Sequence, residues 1–140
     1  MRIEYYRIGA TGPLPEIAFE PPFKVAFVAD IAADAKRHEG VARWLDQSGA
    51  RYFCAWGVQC SQWHDAVDWA QIEAWPDDMP DDQFCMTTWH ENEPIEDMMY
   101  FARACSGYYD GSWNDRIAII HLSATEDRIR LIDLMTKSTD

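Results

Sequence analysis

The sequence predicts an α/β domain: a three-layer sandwich whose mostly parallel sheet of about four strands carries helices on both faces. Three observations predict it. Four short apolar runs recur along the chain, each is followed by a stretch of helical periodicity, and a length of 140 residues suits one hydrophobic core. Strands alternating with helices imply crossovers of one hand, and hence parallel neighbours.

Residues 1–22 carry Gly9, Gly12, Pro13, Pro15, Pro21 and Pro22, which suggests an extended arm laid over the domain, with a short strand at "IEYYRI". The domain proper is expected to span residues 23–140. "KVAFVADIA" (Lys24 to Ala32) is a continuous apolar run ending in Asp30, the pattern of a strand covered on both faces. Asp34 is a helix N-cap for "AKRHEGVARWLDQSG", which sets Val41, Trp44 and Leu45 on one stripe and stops at Gly49.

"RYFCAWG" (Arg51 to Gly57) reads as a second buried strand. Ser61 then caps a helix whose Trp63, Val67, Ala70 and Ala74 recur at helical spacing. After the turn "PDDMPDD", "QFCMTTW" (Gln83 to Trp89) is the third strand. Asn92 or Glu93 caps the next helix and Pro94 starts it, with Ile95, Met98, Met99, Ala102 and Cys105 inward and Gly107 at its end. "RIAIIHL" (Arg116 to Leu122) is the clearest buried strand. In the segment after it, Ser123 and Glu126 form a capping box, and Ile129, Ile132 and Met135 face inward.

The composition, 48% hydrophobic and 14% aromatic, excludes a disordered chain, so charge is a property of a folded surface. A net charge of −12 and a pI near 4.5 disfavour attraction to nucleic acid or to an anionic membrane, both polyanions. Neither is expected as a partner. "MRIEYYRIGATGPLPE" lacks the apolar stretch of a signal peptide, and no run is long enough to cross a bilayer, so a cytoplasmic location is expected. Cys54, Cys60, Cys85 and Cys105, scattered through core-like sequence, are expected as reduced thiols.

In parallel sheets ligands bind beyond the carboxyl ends of the strands. There the sequence places Asp30, then Trp56, Gly57 and Cys60, then Thr87, Thr88, Trp89, His90 and Glu91, then Ser123 and Thr125. A small enzyme or ligand-binding site lined by Asp30, Trp56, Cys60, His64, Thr88, Trp89 and His90 is therefore one reading. A zinc site would join Cys60 and His64 to His90 or Cys85, but no C-x-x-C or H-E-x-x-H pattern supports it, and no metal or cofactor is expected. A thiol nucleophile would pair Cys60 or Cys54 with His90 or His64, oriented by Asp65 or Asp30. The carboxylates nearby oppose it by raising the thiol pKa. No phosphate-binding glycine motif follows the first strand.

The most unusual feature is extended. Between Arg51 and Arg103 there is no lysine or arginine, while eleven acids lie in that interval: Asp65, Asp68, Glu73, Asp77, Asp78, Asp81, Asp82, Glu91, Glu93, Glu96 and Asp97. Five of the seven tryptophans, Trp56, Trp63, Trp69, Trp75 and Trp89, fall there too. Aromatics among acids suit a cationic partner. The leading expectation is thus an acidic, non-enzymatic binding protein. It engages a basic protein, for which a toxin is one candidate, through Asp65, Asp68, Trp69, Trp75, Asp77, Asp78, Asp81, Asp82, Glu91 and Glu93, as immunity proteins and antitoxins do. Monomer and homodimer both remain open.

The pattern "AWG…CSQW…VDW" followed by "MTTWHENEP" resembles a family of small bacterial α/β proteins described as a domain of unknown function. The resemblance runs from Lys24 to Leu122 and is most specific over Met86 to His90. It implies a single α/β domain and carries no activity with it.

Overall fold

The computed structural model describes residues 1–105 and 113–137 of the chain, apart from the Cys105 side chain. Five strands, β1 (Arg2–Ile8), β2 (Phe23–Ala29), β3 (Ala50–Gly57), β4 (Met86–His90) and β5 (Arg116–Leu122), form one sheet in the order β1-β5-β2-β3-β4, and every neighbouring pair is parallel. The helices are α1 (Ala35–Ser48), α2 (Cys60–Ala74), α3 (Ile95–Tyr100) and α4 (Arg128–Lys137). The three-layer α/β architecture is thus the one the alternation implies, with a fifth strand added. None of these helices is long and apolar enough to cross a membrane.

The fifth strand comes from the N-terminal segment. Arg2 to Ile8 pair in unbroken register with Arg116 to Leu122, because an edge place beside β5 lets Tyr5 bury in the core on one face and Ile8 in the core on the other while Arg2 and Arg7 stay in water. Only the remainder of the arm lies over the domain. Its course is fixed by hydrogen bonds: Arg37 of α1 donates to the carbonyls of Gly9 and Gly12, Trp44 Nε1 donates to Pro15 O at 3.0 Å, and Ala18 N–H donates to the Tyr6 hydroxyl.

Two cores fill the sandwich. On one face α1 and α2 set Val41, Leu45, Trp63 and Val67 against Phe27 and Phe53, and Phe19 of the arm joins them. On the other, Ile95, Met98 and Met99 of α3 and Leu131 and Met135 of α4 cover Val28, Cys54, Ile117 and Ile119. Lys24 is buried despite its charge, its ammonium donating to Arg103 O at 3.3 Å.

Local details correct the sequence reading in several places. Strand β2 ends at Ala29, short of Ala32, and α3 starts at Ile95 with Pro94 as its N-cap and no side-chain cap, so neither Asn92 nor Glu93 caps it. Helix α2 starts at Cys60, with Gln59 as its N-cap in a left-handed conformation and no side-chain cap, so Ser61 is inside the helix. Strand β4 begins at Met86, because Asp81–Gln83 form a 3-10 turn whose Gln83 and Asp82 take hydrogen bonds from Arg51. Ser123 is buried and its hydroxyl accepts the Thr125 N–H, so no Ser123–Glu126 box forms and α4 opens later, at Arg128. That shift rotates the stripe: Leu131 and Met135 are buried, whereas Ile129 is 86% exposed. The inward stripe of α3 continues to Ala102 through a π-helical turn, Phe101–Cys105, and Gly107 lies outside the described residues.

Gly57 closes β3 at φ +100°, and a Cβ there would lie 2.2 Å from the carbonyl oxygen of Ala29. That oxygen accepts the Val58 N–H at 2.9 Å, so it cannot withdraw freely. Gly57→Ala is expected to destabilise the fold by about 2 kcal/mol or more. Urea unfolding checks this, with the midpoint falling at an unchanged slope.

Candidate functional site

Strand β4 is held by side chains of α2 that alternate along one stripe. The Gln71 amide forms two hydrogen bonds with Cys85, donating to its carbonyl at 2.9 Å and accepting its N–H at 2.8 Å. One turn earlier the Thr87 hydroxyl donates to Asp68 at 2.7 Å. One turn earlier again the His64 ring meets the Trp89 ring edge-on, with centroids 4.6 Å apart. Helical residues spaced three and four apart thus match strand residues spaced two apart. His64 Nδ1 also pairs with Asp65 at 2.9 Å. His64 and Asp68 therefore serve this junction, and they face away from the strand-end cavity described below.

Around that junction the surface is apolar and acidic. Of the nine large apolar side chains left exposed among the described residues, seven lie between Val58 and Trp89, including Trp69 (62%), Trp75, Phe84, Met86 and Trp89. Asp77, Asp78, Asp81 and Asp82 are exposed on the turn after α2 and make no ion pair among the described residues. Arg43 of α1 approaches only Glu73, at 3.8 Å, and Glu39. A groove of about 340 Å³ between α1 and α2 is lined by Asp65, Trp69 and Glu73 among others. The sequence-predicted partner residues Asp65, Asp68, Trp69, Trp75, Asp77, Asp78, Asp81 and Asp82 thus sit on α2 and its turn, beside β4. Glu91 and Glu93 follow at the far end of the strand.

At that end a cavity of about 680 Å³ opens between β3 and β4, walled by Trp56, Cys60, Ser61, His90, Glu91 and Glu93. His90 is buried and doubly held: Nδ1–H donates to Glu93 at 2.5 Å, and Nε2 accepts from the Thr88 hydroxyl at 3.0 Å. Because a carboxylate only accepts, the proton must sit on Nδ1. Thr88 is absent from the cavity lining and also bonds Cys54 behind it, so this carboxylate–imidazole–hydroxyl chain runs into the core. Burial pushes the Cys54 thiol up to about 12. Burial and then Glu91 raise Cys60, against weaker help from backbone N–H groups, so neither thiol is poised as a nucleophile.

A second chain of the same type stands where α1 and α4 leave the sheet on opposite faces, the topological switch between β2 and β5. His121 is 1% exposed in β5. Its Nε2–H donates to Asp30 at 2.6 Å, and its Nδ1 accepts the Tyr5 hydroxyl at 2.6 Å. The Asp127 N–H donates to the Tyr5 oxygen at 3.0 Å, which leaves the phenol proton for His121 and fixes the tautomer. Burial raises the Tyr5 pKa, outweighing the lowering by that N–H.

Of the strand-end residues named from sequence, Trp56, Cys60 and His90 share the cavity. Thr88 lies behind His90, His64 and Trp89 lie on the α2 side, and Asp30 belongs to the switch point. Among the described residues no three His, Cys, Asp or Glu side chains are grouped as a metal would require. Tyr5, His121 and Gln71 were not singled out by sequence, and Thr87 was named only as one of the residues at the end of the third strand. The one available signal was a histidine inside the apolar run "IIHL", where a buried imidazole demands partners.

A family model described as Domain of unknown function (DUF7684) matches residues 3–138, and the chain belongs to that family. No match was found among curated proteins or among solved structures.

Tyr5→Phe strands His121 Nδ1 and the Asp127 N–H, and is expected to cost about 1–3 kcal/mol in denaturant unfolding. Alkali should destabilise the native chain as well. A thiol held above its ordinary value of 9.0 keeps its proton in the native state after the unfolded chain has lost it. Stability conferred by Cys54 is thus complete below pH 9 and is lost as pH rises towards 12. Unfolding free energies measured from pH 8 upward should fall, and fall less steeply in Cys54→Ala.

Proposed function

We propose that this member of a family without a described activity is an acidic binding protein that engages a basic protein through the face built from α2, its following turn and β4. Immunity proteins and antitoxins that mask a cationic enzyme surface act in this manner. The observation that carries the reading is the coincidence of two things in one stretch of the chain: seven of the nine large apolar side chains exposed among the described residues, from Val58 to Trp89, and carboxylates with no lysine or arginine between Arg51 and Arg103. Exposed tryptophan and methionine supply contact area, and unpaired carboxylates supply attraction and register. Net charge of −12 would steer a basic partner toward the chain and repel polyanions.

The second reading, a small-ligand site at the strand ends, is favoured by the cavity that Trp56, Cys60 and His90 share. Its weakness is chemical. The thiol is raised, and both His90 nitrogens are already engaged.

Affinity capture from the native host at low salt tests the binding reading. The quadruple variant Asp77→Lys, Asp78→Lys, Asp81→Lys, Asp82→Lys and the double variant Trp69→Ala, Trp75→Ala should each weaken a captured basic protein at least tenfold while leaving the circular dichroism unchanged. The charge set should act mainly on association and the tryptophan set on dissociation. Equal retention by both variants would overturn the assignment.

A further inference from the structure

The two edges of the sheet are treated differently. Strand β1 carries Arg2, Glu4 and Arg7, and arm residues are tied alongside it, Ala18 to Tyr6 and Phe19 beneath the Arg2 guanidinium. Charges and covering chain are the devices by which proteins keep an edge from recruiting a further strand. Among the described residues, strand β4, "MTTWH", has none of them. It contains no charged residue other than a buried histidine, no proline and no break in register with β3. Among the described residues its pairing is with β3 alone, so every second peptide group along it presents N–H and C=O to the outer side. Met86 and Trp89 project to opposite faces of the sheet, and both are exposed.

Resting on the binding face above, we infer that β4 is a docking edge, and that its occupant is an extended, lysine- or arginine-bearing segment of the partner, added as a sixth strand. Main-chain hydrogen bonds to β4 give such a segment affinity whatever its sequence, and side chains alternating across the sheet read the flanks. On one flank the added strand meets Trp89 and the carboxylates of α2. At its end it meets Glu91 and Glu93 beside the cavity walled by Trp56. A second copy of this chain is a poor occupant, since pairing β4 with β4 would bring together two copies of a segment that carries eleven acids and no lysine or arginine between Arg51 and Arg103.

Hydrogen–deuterium exchange of the full chain tests this, with an eight-residue peptide of alternating valine and lysine as the probe and one of alternating valine and glutamate as the control. The lysine peptide should slow exchange within Met86–His90 at least tenfold, less so at high salt, while the glutamate peptide has no effect. Met86→Lys and Trp89→Lys, each checked for native circular dichroism, should abolish the protection. No protection by the lysine peptide, equal protection by both peptides, or a dimer whose β4 amides are already protected would overturn strand addition. Exchange in the presence of a captured partner separates the two proposals. A partner that binds without slowing β4 sinks strand addition and leaves the binding face standing, whereas the absence of any partner sinks the face itself.

Discussion

The structure depends on one constraint: a fully parallel sheet must be covered on both faces, and the described residues supply four α-helices with which to do it. Five strands at about 4.8 Å spacing make a sheet roughly 24 Å wide, while two helices packed about 8–10 Å apart cover roughly 20 Å. About one strand on each face is therefore left over. On the α1/α2 face the remainder lies at β1 and β5, and the arm fills it with Leu14, Ile17 and Phe19 packed into the core. On the opposite face α4 serves β1, and α3 with its π turn serves β3 and β2, so the remainder falls at β4. Met86 is exposed there for that reason.

What covers β4 instead is polar. Apolar packing would hold a strand loosely in register, because contact energy is spread along it, whereas paired donors and acceptors fix each residue. The Gln71 amide stands in for a neighbouring strand at Cys85, Asp68 holds Thr87, and Glu93 with Thr88 holds the buried His90. Buried polar groups are costly unless satisfied, and here each named group is satisfied by a partner two to nineteen residues away. His121 differs only in range. It joins β5 to Asp30 after β2 and to Tyr5 in β1, so it ties together three strands that the chain forms far apart.

Much of this was legible in the residues. The apolar runs at Arg51 and Arg116 lie within strands, the run at Lys24 is strand as far as Ala29, and Asp34 and Gly49 cap α1 as short-range chemistry requires, with the Arg37 N–H donating to Asp34 and Gly49 at φ +102°. What escaped was non-local. "IEYYRI" alternates too weakly to announce an integral strand until β5 offers it an edge, and Ser61 looks like a cap until Gln59 is seen taking the left-handed position before it. The strand-end residues divide between two places for the same reason. Residues after a strand do lie at one rim, but which face each points to depends on register, and register sends Trp89 toward α2 and His90 toward α3.

The same accounting bears on the acids. Negative charge near a helix C-terminus opposes the dipole by about 0.3–1 kcal/mol per group, and α2 has no basic residue in its last turn to compensate. Asp77 and Asp78 follow that terminus directly, and an exposed tryptophan, Trp75, sits at it. Local stability would favour lysine at those positions and a smaller polar side chain at Trp75. Among the described residues the fold guards β1 with charge and covering chain and gives β4 neither, and the acidic turn that makes no ion pair lies in the segment leading into that strand. The binding proposed for this flank would relieve these unfavourable choices together, by neutralising the carboxylates, covering the aromatics and satisfying the outer peptide groups of β4. Scattered around the molecule, the same choices would have no common remedy.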